Sequence, residues 1–113
     1  MSDSIKNGEL SEKESSQMLS AFMTDTHAHL TDKAFRGTEE SVILKANREG
    51  VKRIIVPGWN ILSSIDSMKI AEQHDNVFFA VGVHPSDCKE LDNELIARLF
   101  EMAKHPKCVG IGE

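Results

Sequence analysis

The chain has 113 residues, of which 40% are apolar and 27% charged, a composition typical of one soluble globular domain. Its formal net charge of −5 argues against nonspecific nucleic-acid binding through a broad basic surface, although a divalent cation in a site would supply positive charge that the sequence lacks. The two cysteines, Cys88 and Cys108, have neither a metal-site spacing nor the pattern of a small secreted framework, so we expect free thiols and a cytoplasmic setting. Since no stretch is long and apolar enough to cross a membrane, we expect no membrane partner.

The first 21 residues are rich in Ser, Glu, Lys and Asn and carry few large apolar side chains. Such a segment buries too little apolar surface to fold by itself, so residues 1–21 are predicted to form a flexible polar extension with at most weak helical character. The folded part is predicted to occupy residues 22–113. Because Met23 stands just before the histidine motif, we hypothesise that Met23 is the natural translation start, which an N-terminal mass measurement on natively expressed protein would check.

The first predicted strand, over residues 22–30, holds two histidines separated by one residue, His27 and His29. Side chains at positions i and i+2 of a strand point to the same face, so both imidazoles would share a face with Asp25. Two imidazoles held this close can chelate one metal ion, and a nearby carboxylate can orient an imidazole or join the site. Taken alone, the motif fits a metal site and an ordinary polar pair about equally well.

Helix-like and strand-like patterns alternate through the rest of the chain. The predicted helices run from the N-cap Thr38 to a stop at Gly50, from about Asn60 to His74, and from the N-cap Asp92 to Ala103, and the further predicted strands cover residues 51–56, 77–83 and 108–111. The apolar run at residues 77–83 is continuous, which is typical of a strand buried on both faces.

The predicted strands recur at intervals of roughly 30 residues, the spacing of βα units in a parallel α/β protein with right-handed crossovers. In such folds, ligand and catalytic residues collect at the carboxyl ends of the strands. The residues that fall at such ends are His27, His29, Pro57-Gly58, His84 and Glu113. The agreement between these separate segments favours a site over any single motif.

Each of these positions also has an ordinary structural interpretation. From its position alone, His84 is more simply a loop histidine before Pro85, and Glu113 is a surface carboxylate that begins a loop. Trp59 is expected to pack over a helix, with a cleft where a base or sugar stacks as the alternative.

Four segments together resemble the TatD family of metal-dependent hydrolases in their order and approximate spacing. They are DTHAHL at residues 25–30, IVPG at 55–58, VGVHP at 81–85 and GIGE at 110–113. A broader amidohydrolase or a PHP-type phosphoesterase would share the first segment alone. The resemblance covers about residues 22–113 and implies a TIM-type (β/α)₈ barrel with a divalent-metal site that hydrolyses phosphodiester bonds of DNA, notably by 3′ to 5′ exonuclease action.

The resemblance also implies roles residue by residue. His27 and His29 match metal ligands, and Glu113 matches an acidic ligand that is shared between two metal ions and acts in catalysis. His84 matches a catalytic-site histidine that contacts the substrate phosphate, and Asp25 has a supporting role. Two ions per complete site are implied: Mg²⁺ or Mn²⁺ suits carboxylate-bridged phosphoester chemistry best, and the histidine ligands leave Zn²⁺ open.

A complete (β/α)₈ barrel needs about 250 residues, so the sequence is expected to supply its N-terminal portion, with about four strands and three helices. Two later histidines and a later aspartate of the family's site are absent from the sequence. We therefore expect a truncated product that is weak or inactive alone and that self-associates through open sheet edges. The alternatives are a non-catalytic α/β module that binds a metal or a partner, and a fragment with no independent fold.

Overall fold

The computed structural model describes residues 23–112. The predicted extension over residues 1–21, Phe22 and Glu113 lie outside the described residues. Within the described range, strands and α-helices alternate along the chain, which is the α/β class that the sequence predicts.

The strands are β1 (Met23–Asp25), β2 (Val51–Pro57), β3 (Val77–Val81) and β4 (Cys108–Ile111), and the helices are α1 (Glu39–Arg48), α2 (Ile61–Gln73) and α3 (Asn93–Ala103). Two short 3-10 helices, Lys33–Phe35 and Pro85–Glu90, follow β1 and β3. From residue 23 to residue 112, no helix is both long enough and apolar enough to span a bilayer.

Local side-chain chemistry fixes the starts of α2 and α3 close to their predicted positions, whereas Thr38 stands at the N-cap position of α1 without a side-chain capping bond. The Asn60 side chain accepts a hydrogen bond from the Ser63 backbone nitrogen at 2.7 Å, and the Ser63 hydroxyl accepts one from the Asn60 nitrogen at 3.0 Å, which forms a reciprocal capping box at α2. Asp92 caps α3 by accepting from the Leu95 nitrogen at 2.8 Å. Gly50 follows α1 with a φ of 100°, a conformation that favours glycine and ends the helix.

The four strands form one parallel sheet in the order β1-β2-β3-β4. Each strand pairs with its neighbour in sequence, so the order never reverses. This progression is that of a (β/α) barrel and differs from a doubly wound sheet, in which the strand order reverses at a switch point. The described residues are therefore consistent with part of such a barrel.

The hydrophobic core lies between the sheet and the helices. It contains Ile54 and Val56 of β2, Val77, Phe79 and Val81 of β3, and Ile43, Ala71 and Met102 of the helices. The alternate strand residues Ile55, Phe78 and Ala80 are only partly buried. The prediction that the third strand is buried on both faces is therefore wrong, because in the described part of the chain the helices cover one face of the sheet and leave the other partly open.

Two strands end earlier than predicted. β1 ends at Asp25 instead of residue 30, because the Asp25 carboxylate accepts a hydrogen bond from the His27 backbone nitrogen at 3.0 Å and so turns the chain. β3 ends at Val81 instead of residue 83, just before Gly82.

Candidate metal centre

The imidazoles of His27 and His29 meet just beyond the carboxyl end of β1. Their Nε2 atoms are 3.1 Å apart. The rings lie edge to face, with their centroids 4.8 Å apart. The two side chains therefore converge on one point, as the spacing of one intervening residue predicts.

The backbone of this segment stays hydrogen-bonded to β2 although the regular strand has ended. The Ala28 nitrogen donates to the Ile55 carbonyl oxygen at 3.1 Å, which ties the residue between the two histidines to the neighbouring strand. Leu30, exposed by only 3%, anchors the far end of the segment in the core. Asp25 turns the near end through its bond to the His27 nitrogen, so its carboxylate shapes the backbone that carries the first imidazole.

The donor set and spacing of the imidazole pair fit one divalent cation. An ion that binds both Nε2 atoms at about 2.0–2.1 Å spans a 3.1 Å separation with a nitrogen–metal–nitrogen angle of roughly 100°. That angle lies between the octahedral and tetrahedral values. Within residues 23–112, no group of three His, Cys, Asp or Glu side chains is arranged to hold a metal. Glu113, the predicted third ligand, lies outside the described residues.

Trp59 connects the imidazole pair to the next two strands. Its ring lies in T-shaped contact with His29, with ring centroids 5.3 Å apart. Its backbone carbonyl accepts a hydrogen bond from the His84 nitrogen at 2.8 Å. The expectation that Trp59 packs over a helix missed the contact with His29, because that contact joins residues far apart in sequence.

His84 follows β3 and caps the 3-10 helix Pro85–Glu90. Its Nδ1 atom lies 3.1 Å from the Ser86 backbone nitrogen and 2.8 Å from the Ser86 hydroxyl. The side chain is exposed at the carboxyl end of the sheet. His84 is thus a capped loop histidine in its local contacts, as its position suggests, and Trp59 links it to the imidazole pair.

Two glycines near these side chains, Gly58 and Gly82, stand where neighbouring segments of backbone approach closely. A Cβ atom on Gly58 would lie 2.6 Å from the Ser64 Cα, and one on Gly82 would lie 2.4 Å from the Gly112 carbonyl oxygen. Gly58 directly precedes Trp59, and Gly82 stands two residues before His84. These glycines therefore let β2, α2, β3 and the end of β4 approach each other where the site residues emerge.

Sequence reasoning did not single out Ser64 or Ser86. Three serines of α2 are buried, Ser63, Ser64 and Ser67, and serines inside a predicted helix were the sequence signal that could have drawn attention to Ser64. The signal for Ser86 was its place two residues after a histidine, within reach of the imidazole.

Comparison with known proteins identifies one family. The family model described as TatD related DNase matches residues 24–113. The matched region includes the imidazole pair, Trp59, His84 and Glu113.

Curated relatives match about four-fifths of the chain. The chain is 37% identical over 89 residues to the uncharacterized metal-dependent hydrolase YabD of Bacillus subtilis, and the match covers 79% of this chain and 35% of that protein. It is 35% identical over 92 residues to the 3′-5′ ssDNA/RNA exonuclease TatD of Erwinia tasmaniensis, covering 80% of this chain and 36% of that protein. It is 30% identical over 91 residues to the protein of the same name from Escherichia coli, and that match covers 80% of this chain and 35% of that protein. The chain therefore spans about a third of the length of the curated relatives it matches.

Proposed function

Because the chain belongs to the TatD related DNase family, we propose that it carries the N-terminal part of a divalent-metal-dependent hydrolase that cleaves phosphodiester bonds of DNA in the 3′ to 5′ direction. The observation that carries this proposal is the convergence of the His27 and His29 Nε2 atoms, 3.1 Å apart, at the carboxyl end of a parallel sheet. The names of relatives, a metal-dependent hydrolase and a 3′-5′ ssDNA/RNA exonuclease, support it.

In this proposal, His27, His29 and Glu113 hold the metal, and Glu113 is shared between two ions in a complete site. Mg²⁺ or Mn²⁺ is favoured over Zn²⁺ for carboxylate-bridged phosphoester chemistry. When bound, such ions activate a water molecule and neutralise charge on the phosphate. That positive charge matters here, because the chain itself carries a formal net charge of −5.

The chain's own residues orient the ligands and the substrate. Asp25 holds the turn that brings His27 toward His29, and the Trp59 ring restricts the rotation of the His29 imidazole. His84 lies on the adjacent loop and is proposed to contact the substrate phosphate. Together with Glu113 it forms the proposed catalytic set.

We further propose that the four strands are the first half of a (β/α)₈ barrel and that the chain alone is weak or inactive as a nuclease. β4 is an edge of the described sheet, and its residues Val109 and Ile111 are exposed by 53% and 76%. Open parallel edges of this kind favour pairing with another chain, so we propose self-association through them. The free thiols of Cys88 and Cys108 support a reducing, cytoplasmic setting.

The second candidate function is a non-catalytic α/β module that binds a metal or a partner. The observation that favours it is the exposed edge at β4.

A nuclease assay separates these two functions. The purified chain is incubated with 3′-labelled single-stranded DNA and Mn²⁺, with His27→Ala and His74→Ala tested in parallel. Weak release of 3′ nucleotides that disappears in His27→Ala and persists in His74→Ala supports the hydrolase. Metal binding without any cleavage in a discrete dimer fits both functions, since the chain alone is proposed to be weak or inactive, so only a positive result separates them.

A further inference from the structure

Two contacts with Ser86 bear on the protonation pattern of the His84 ring. The Ser86 backbone N–H points at His84 Nδ1 at 3.1 Å, a geometry that favours the tautomer in which Nδ1 accepts and carries no proton. The Ser86 hydroxyl, 2.8 Å from the same nitrogen, is then also a donor. With Nδ1 occupied as an acceptor, the proton of the neutral imidazole resides on Nε2.

The backbone of His84 is also fixed, by two hydrogen bonds. The His84 nitrogen donates to the Trp59 carbonyl oxygen at 2.8 Å, and the His84 carbonyl oxygen accepts from the Asp87 nitrogen at 2.8 Å. Pro85 opens the 3-10 helix and fixes one dihedral angle of the turn. The loop therefore holds the His84 ring in a defined place, on a backbone that is bonded to the carbonyl of Trp59.

The same motif occurs a second time in the chain, at the opposite end of the sheet. The Lys107 backbone N–H donates to His105 Nδ1 at 3.0 Å, again from a residue two positions later. The His105 Nε2 atom lies 3.3 Å from the Glu72 carboxylate. In this second copy, an imidazole with an occupied Nδ1 presents Nε2–H to an anionic oxygen.

We propose that Ser86 is a positioning residue that holds His84 in the Nε2-protonated tautomer, so that His84 donates a hydrogen bond to an anionic phosphate oxygen. In this tautomer, Nε2 has no lone pair for a metal ion or for a proton taken from water. The part of this inference that concerns phosphate rests on the proposed function. The tautomer itself does not, so the two can fail separately.

Nitrogen-15 NMR of the uniformly labelled full chain tests the tautomer directly. Long-range proton–nitrogen correlations distinguish a protonated from an unprotonated ring nitrogen, and His84→Gln identifies the His84 signals by their disappearance. We expect His84 and His105 to show the same pattern, with Nε2 protonated and Nδ1 unprotonated. A His84 ring protonated on Nδ1, or one that exchanges between both forms, would overturn the proposal.

Two variants test the part played by Ser86. Ser86→Ala removes the hydroxyl donor and should move the Nδ1 resonance of His84 while leaving that of His105 unchanged. Glu72→Gln should perturb His105 and leave His84 unchanged. If Ser86→Ala leaves the His84 Nδ1 resonance in place, the Ser86 hydroxyl does not hold the ring and the proposal fails.

Binding of the dinucleotide dTpdT in buffer with EDTA, which prevents metal-dependent cleavage, tests the donor role. Glutamine at position 84 places an amide N–H near the position of Nε2, whereas asparagine reaches only as far as Nδ1. We expect His84→Gln to bind within about threefold of the wild type and His84→Asn to bind about tenfold more weakly, since a hydrogen bond to a charged oxygen is lost. Equal losses in both variants would overturn the donor role. A correct tautomer with no dinucleotide binding by the wild type would support the role of Ser86 and overturn the donor role, whereas the proposed function, in which the metal supplies positive charge, is decided by the nuclease assay.

Discussion

The Ser64 hydroxyl lies 3.3 Å from both the backbone nitrogen and the carbonyl oxygen of Gly82. Ser64 belongs to the first turn of α2 and is fully buried. Its hydroxyl accepts from the Gly82 N–H and donates to the Gly82 carbonyl, so one side chain satisfies both backbone groups at the end of β3. This contact ties α2 to the turn that leads to His84.

We expect Ser64→Ala to lower the free energy of unfolding by about 1–3 kcal/mol, because it leaves the buried N–H and carbonyl of Gly82 without a partner. Chemical denaturation of the purified chain measures the change. Ser41→Ala, on the exposed surface of α1, is the matched control and should change the value by no more than about 0.5 kcal/mol. Equal effects of the two variants would show that the Ser64 contact contributes nothing specific.

Gly82→Ala tests the close approach of β3 and the end of β4. The new Cβ would lie 2.4 Å from the Gly112 carbonyl oxygen, and because that atom is backbone, the two segments must separate. We expect a loss of about 2 kcal/mol or more in thermal or chemical unfolding. Gly110→Ala is the control, since a Cβ there meets nothing within 4 Å. A Gly82→Ala protein as stable as Gly110→Ala would contradict the described packing.

The parts of this structure that depend on local chemistry could be predicted from the sequence. Asn60 and Asp92 carry side chains that cap a helix wherever they precede one, so the starts of α2 and α3 lie where the sequence indicates. The sheet order follows from the regular alternation of strands and helices, because short right-handed crossovers bring successive strands together. The convergence of His27 and His29 was predicted from a strand over residues 22–30, but in the structure the strand ends at Asp25, and the Asp25 turn and the bond of Ala28 to Ile55 position the pair.

The parts that depend on distant contacts could not be predicted in this way. An apolar run such as residues 77–83 shows that both faces of a strand avoid charge, but it does not show whether a second layer covers each face. The contact of Trp59 with His29 and that of Ser64 with Gly82 join different βα units, so no local pattern encodes them. The role of Glu113 stays a prediction, since that residue lies outside the described range.

Lys107, which precedes β4, contacts the carboxyl-terminal end of α2. Its Nζ atom donates to the carbonyl oxygens of Ala71 and His74 at the end of the helix, and it lies 5.3 Å from the centre of the Phe78 ring. We expect Lys107→Met to cost about 1–2 kcal/mol of stability.

The control for Lys107→Met is Lys104→Met, since Lys104 pairs with an exposed side chain on the surface. Lys104 pairs with Glu101 at 3.2 Å, and both side chains are more than 70% exposed, at 73% and 74%. Lys104→Met should therefore change stability by no more than about 0.5 kcal/mol, as is usual for surface pairs. If both lysine variants unfold at the same denaturant concentration, the contact with the end of α2 is not stabilising.

Metal binding by the imidazole pair is tested by calorimetry with Mn²⁺. We expect His27→Ala and His29→Ala each to weaken binding by at least about tenfold, because a single imidazole no longer chelates the ion. His74→Ala, at the end of α2 that Lys107 caps, should bind as the wild type does. Unchanged Mn²⁺ uptake in His27→Ala would remove the imidazole pair as the metal site.

The exposed edge at β4 predicts association that depends on protein concentration. Val109 is 53% exposed on this edge strand, and a charge placed there should oppose strand pairing. We expect Val109→Lys to shift the chain toward monomer in gel filtration with light scattering. Leu62→Lys is the matched control, since Leu62 is 73% exposed but lies on α2, away from either sheet edge. If both variants lose association, the added charge acts through general solubility and not through edge pairing. If both variants still associate, β4 is not the contact.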